Sequence, residues 1–131
     1  MEILDNKTRK EVSYYLPSVK SASRLADFFA LFSDCSRLRV ISALAISRMC
    51  VTDLADVCRM NQTTVSHQLR SLKSMGIVES ERQGKIVFYR LADNKINDIL
   101  LCGVEFCRLR RRRKLIFSFP FGYYMQKFFR M

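Results

Sequence analysis

The periodicity of the chain changes abruptly at Gly76, and that change limits the fold more than any other feature. Before it, Val65, Leu69 and Leu72 recur at helical spacing behind Asn61, whose side-chain oxygen can accept from an unpaired amide of the first turn. After it, Ile77 to Arg82 and Lys85 to Leu91 are rich in β-branched and aromatic residues and flank Gln83 and Gly84, the pattern of a hairpin with a short turn. Gly76 suits the left-handed conformation in which helices commonly end.

Upstream, the first 32 residues are mostly helix-compatible but divided by Pro17, which biases Leu16 away from helical angles. A first helix from about Ser18 through Phe32 would bury Leu25, Phe28, Phe29 and Phe32. Ser33 or Asp34 can cap a second helix with Leu38, Ile41, Leu44 and Ala45 on its apolar stripe, and Thr52 can open a short third one that places Leu54, Val57 and Cys58 on one side. The helix opened by Asn61 is then the fourth. Asp93 can cap a final helix with the stripe Ile96, Ile99, Leu100, Val104 and Cys107 and with Gly103 in its middle, and such a stripe wants a partner helix. With 131 residues and 49% hydrophobic content, the chain has room for one packed domain, and no repeat is found.

The face of the fourth helix opposite its apolar stripe carries chemistry. At 100° per residue Thr63, His67, Arg70 and Ser74 share one stripe, with Ser66 beside them, and from Asn61 through Gly76 the only charges are Arg70 and Lys73. An isolated solvated face would serve as well, but the lack of negative charge shifts the balance to duplex DNA. Two helices joined by a tight turn, followed at once by a hairpin with Arg82 and Lys85 near its tip, describe a winged helix-turn-helix: mainly α with a small β-hairpin. A helix fits the major groove, where short polar side chains and a bidentate arginine reach base edges while amides and wing cations hold phosphates. The candidate DNA contacts are Gln62, Thr63, Thr64, Ser66, His67, Arg70, Lys73, Arg82 and Lys85.

The net charge of +11 agrees with an anionic partner but is unevenly placed. Residues 1–107 carry 15 basic and 12 acidic side chains, whereas 108–131 carry 8 basic and no acidic ones. We therefore expect a body over 1–107 that binds DNA and dimerises, and a basic, aromatic tail over 108–131, in which Arg108 and Arg110 to Lys114 precede LIFSFPFGYYMQKFFRM. For that tail three readings stand: aromatics folded back on the body, extra contact with DNA phosphates, or an anionic membrane surface. No serine-histidine-aspartate set, phosphate-cradling glycine loop or histidine cluster supports an enzyme. The absence of a secretory leader or an apolar run long enough for a membrane span, together with an odd number of cysteines lacking CxxC, leads to the expectation of a cytoplasmic protein.

From about Leu25 to Asp93 the chain resembles the ArsR/SmtB winged-helix repressors, through FFALFSDCSRLRVISAL, MCVTDLADVC and TTVSHQLRSLKSMGIVESERQGKIVFYRLAD. The resemblance implies a homodimer paired through its first and last helices, with Gly103 in the seam. It implies double-stranded operator DNA as partner, and release of that DNA when an effector, commonly a metal or metalloid ion, binds. The rival from another class is a protein-interaction or membrane adaptor on the same scaffold.

The resemblance is uneven at the sensing sites. Cys50 matches the first cysteine of the family's CVCD motif, while Thr52 and Ala55 stand where further ligands would be. The positions corresponding to the family's zinc ligands around the last helix hold Asp93, Lys95, Phe106 and Leu109. A cysteine pair linking helix two to the last helix would set Cys107 against Ser42, with Cys35 two turns earlier. Local chelation fails on geometry, because Cys102 and Cys107 lie about 140° apart around one helix and Cys50 and Cys58 about 12 Å apart along another. The effector-sensing candidates are thus Cys50, Cys35, Cys107 and Cys102, with Cys50 the candidate metal ligand and a thiophilic metal or metalloid ion, or reactive sulfur, as effector. His67 lies on the DNA face, and Cys58 and Cys107 equally suit small buried apolar positions.

Overall fold

A computed structural model describes residues 3–110, except for the side chains at 109 and 110, so most of the expected tail lies outside the described residues. The chain divides into two units, Met1–Cys35 and Ser36–Met131.

In the first unit α1 (Asn6–Tyr15) starts at Asp5, whose carboxylate accepts from the Thr8 amide at 2.8 Å and the Thr8 hydroxyl at 3.0 Å. These bonds stabilise the charged form and hold the Asp5 carboxyl below its ordinary value. Leu16, forced extended by Pro17, ends the helix. The chain restarts as α2 (Val19–Ala30), where Ser18 Oγ accepts from the Ser21 amide. The periodicity marked α2 but not α1. It also overstated burial: Leu25 and Phe29 are each 51% exposed, and Phe28 and Phe32 are half-buried, with their rings edge-on 5.5 Å apart. An apolar stripe shows that a face avoids water, not which molecule covers it. Ser33 closes this segment, its hydroxyl donating to Ala30 O at 2.7 Å.

The second unit takes in α3 (Cys35–Ile46) from Ser36 on, β1 (Met49–Cys50), α4 (Val51–Cys58), α5 (Gln62–Ser74), β2 (Val78–Gln83), β3 (Ile86–Leu91) and α6 (Asn94–Arg110). Val40 and Ile41 of α3, Leu54 of α4, and Val65, Leu69 and Leu72 of α5 are all 0% exposed and form its core. Each such side chain contributes about 1.5 to 3 kcal/mol by leaving water, which fixes α5 firmly against its own protomer. On α3, Leu44 is buried as expected and Leu38 and Ala45 are half-buried.

The hairpin is present with two refinements. Its register pairs Gln83 with Ile86, so the turn is Gly84–Lys85 rather than Gln83–Gly84. Gly84 takes φ 62°, as the first central residue of a type II′ turn requires. A third strand, β1, pairs antiparallel with β3 through Met49 and Tyr89 and through Cys50 and Phe88, giving the order β1-β3-β2. Two residues are too few to leave a periodic signal. Because Cys50 ends that strand, α4 begins at Val51 with Cys50, not Thr52, at its N-terminal boundary, and Val57 turns outward at 57% exposure while Ala55 is buried in its place. Asp93 accepts from the Lys95 amide at 2.8 Å at the start of α6, as expected. Among the described side chains of α6 only Ile96 is buried, and Cys107, assigned to the apolar stripe, is exposed.

Candidate nucleic-acid interface

α4 and α5 pack together and are joined by Arg59, Met60 and Asn61. The bond from the Met60 amide to Ala55 O, 2.9 Å, with Arg59 in the left-handed region at φ 53° and ψ 50°, closes α4 and reverses the chain. Asn61 then caps α5, its Oδ1 accepting from the Thr64 amide at 2.7 Å. With Val65, Leu69 and Leu72 buried on one side, Gln62, Thr63, His67, Arg70 and Lys73 are exposed, and Thr64 and Ser66 are half-buried at the edges of the outer face. Thirteen residues make a rod of about 20 Å, and its exposed surface carries cations and hydroxyls but no carboxylate.

The wing is tied to this rod. Lys73 Nζ donates to Ser80 Oγ of β2 at 2.6 Å, a link between α5 and the hairpin. At the tip Arg82 Nε donates to Gly84 O at 3.3 Å, which folds the side chain along the turn, and Lys85 stands exposed beside it. β2 also carries Glu79 and Glu81, which would repel a phosphate backbone. Each has a cation opposite: Arg90 Nη2 lies 3.0 Å from Glu79 Oε2, and Arg48 Nη1 lies 3.7 Å from Glu81 Oε2. Exposed pairs of this kind add little stability, but they cancel charge where a polyanion would lie. Arg48 also sits over the Phe88 ring, 4.7 Å from its centroid. Arg48 and Arg90 went unnoticed in the sequence, because only the strand register brings them to the acids.

The sensing candidates lie on different elements. Cys35 is the first residue of α3 and exposed, Cys50 is half-buried at the start of α4, and Cys102 and Cys107 are exposed on α6. Cys58 is buried, with its thiol 3.8 Å from Arg39 O, and burial pushes its pKa up despite the opposing charge of Arg39. Among the described residues, no three histidine, cysteine or acidic side chains come together to hold a metal ion. No described helix is long and apolar enough to cross a membrane.

Residues 34–80 match the family model described as bacterial regulatory protein, arsR family. The transcriptional repressor SmtB homolog of a Synechocystis strain is 41% identical over 90 residues, covering 69% of this chain and 68% of that protein. Among solved structures, the AntR antimony-specific transcriptional repressor matches with a TM-score of 0.68 and 30% identity, over 75% of this chain and 89% of its own. The homodimeric winged helix-turn-helix DNA-binding domain of a Mycobacterium bovis protein matches with a TM-score of 0.60 and 28% identity, over 77% and 99%.

Proposed function

The chain belongs to the arsR family of bacterial regulatory proteins, is a DNA-binding transcriptional regulator and not an enzyme, and from that premise we propose how it works. Two copies pair as a homodimer, as in the similar M. bovis domain, and lay their α5 helices in successive major grooves of an operator, about 34 Å apart. Arg70 reads a base edge, Gln62, Thr63, Thr64, Ser66 and His67 contact bases or the adjoining backbone, and Lys73, Arg82 and Lys85 hold phosphates. The observation that carries this reading is the acid-free outer face of a helix whose inner face is completely buried. Residues 1–107 form the regulatory body, and 108–131 a basic appendage to it.

Release follows when a thiophilic metal or metalloid ion, or reactive sulfur, engages Cys50, Cys35, Cys102 or Cys107. Such an ion needs several ligands, and no described group of three or more histidine, cysteine or acidic side chains supplies them, which favours a site that draws ligands from both copies.

The test is an operator gel shift with reduced protein. Arg70→Ala should cost specific affinity about 1 to 3 kcal/mol, roughly 5- to 150-fold, with little change in binding to random duplex. Arsenite, cadmium, zinc and a polysulfide donor are then added to the native chain and to each Cys→Ser variant. If no agent alters retention, the sensing half of the proposal falls while the DNA half stands. A dimer that shows no preference for any duplex over random competitor overturns both.

A further inference from the structure

Arg59 occupies a place that suits a different residue. It is the one non-glycine residue among those described with a positive φ, at 53°. There the Cβ of an L-residue crowds the neighbouring carbonyl, whereas glycine adopts the same angles freely. The turn does not call for an arginine: its two closing bonds, from the Arg59 amide to Asp56 O and from the Met60 amide to Ala55 O, use backbone atoms alone. Packing does not call for one either. Arg59 is exposed, and among the described residues its guanidinium has no hydrogen bond or ion pair.

What remains is its position. Arg59 lies two residues before Asn61, the cap of α5, next to the end of the rod from which Gln62 and Thr63 project. A helix end that enters a major groove passes between two phosphate backbones, and a planar guanidinium pairs with a phosphate through two parallel hydrogen bonds. We propose that Arg59 is a further operator contact that binds a backbone phosphate beside the groove entered by α5, so that this turn keeps a conformationally costly residue for its charge. The inference rests on α5 being the groove helix.

The full chain is compared with R59G, R59K and R70A. R59G should melt about 3 °C higher, because strain is relieved. It should nevertheless bind operator and random duplex about 3- to 10-fold more weakly, with the slope of log K against log salt shallower by about one per protomer, or about two per dimer. R59K should keep most of that slope, since it keeps the charge. An R59G protein with unchanged affinity and slope overturns the proposal, as does one that melts lower, because the residue then belongs to the turn's own stability. If R70A loses specific affinity while R59G does not, Arg59 alone is idle. If R70A loses nothing, α5 is not the groove helix and both readings fail together.

Discussion

α5 and α6 are both helices with one apolar stripe, yet they end in opposite states. On α5 the stripe Val65, Leu69 and Leu72 is fully buried within the protomer, and what remains outside is polar and free of acid. Among the described side chains of α6 only Ile96 is buried: Ile99, Leu100 and Val104 are half-buried, Phe106 is 59% exposed, and a Cβ built on Gly103 would meet nothing within 4 Å. Hydrophobic content alone does not separate the two. The first helix has spent its apolar face at home and offers the other molecule hydrogen bonds and charge, which suits DNA. The second still holds uncovered apolar surface, which suits another copy of itself.

The comparison can be broken from either side. Leu69→Ala, which removes a side chain from the buried face, should cost about 2 to 5 kcal/mol and show as a large fall in the urea midpoint; a loss under 1 kcal/mol would mean that α5 is not anchored as described. Val104→Asp on α6 should instead weaken the dimer at least tenfold, about 1.4 kcal/mol, seen by sedimentation at micromolar concentration, with helical circular dichroism retained. An unchanged dimer constant would move the seam elsewhere. Asn61→Ala removes the bond that opens α5 and should cost about 1 kcal/mol in the same urea titration.

Smaller effects sharpen the contrast among the thiols. Because burial raises the Cys58 pKa in the folded state, its contribution is fully present while the thiol is neutral in both states. It is lost as pH rises above the ordinary value of 9.0 towards the higher folded value. Cys58→Ala should therefore flatten the alkaline fall of the melting temperature, and in the native chain Cys58 should react last with a thiol reagent. An alkaline fall unchanged in the variant would assign it to other groups. Smallest of all, Glu79→Gln should change stability by no more than about 0.5 kcal/mol, since its pairing with Arg90 is exposed.

What could be read from the sequence follows from how each feature is encoded. Asn61, the stripe at 65, 69 and 72, and Gly76 each signal through local chemistry, and α5 appears where they place it. The hairpin's strands were legible for the same reason, but its turn was one residue off because Gly84 suits either position. β1 left no trace, since two residues hold no period and their partner is some 40 positions downstream. Its existence moved the N-terminal boundary of α4 from Thr52 to Cys50. Leu25 and Phe29 were placed on an apolar face and expected to be buried, yet each is 51% exposed in the single protomer, because spacing does not say which molecule covers a face. Arg59 gave no signal at all: a left-handed turn is announced by glycine, and here an arginine takes the angle.

The bond from Lys73 to Ser80 joins the reading rod to the hairpin across an interval of seven residues. The junction beneath that bond is buried at Ile77 and Val78, with the Ile77 amide donating to Leu72 O at 3.0 Å, so rod and hairpin are aimed together and a dimer approaching its operator carries two stiff pincers rather than four separate fingers. For such a device the spacing of the pair decides fit, so an effector acting far from any base could unseat the protein by altering that spacing by a few ångströms, leaving every reading side chain intact.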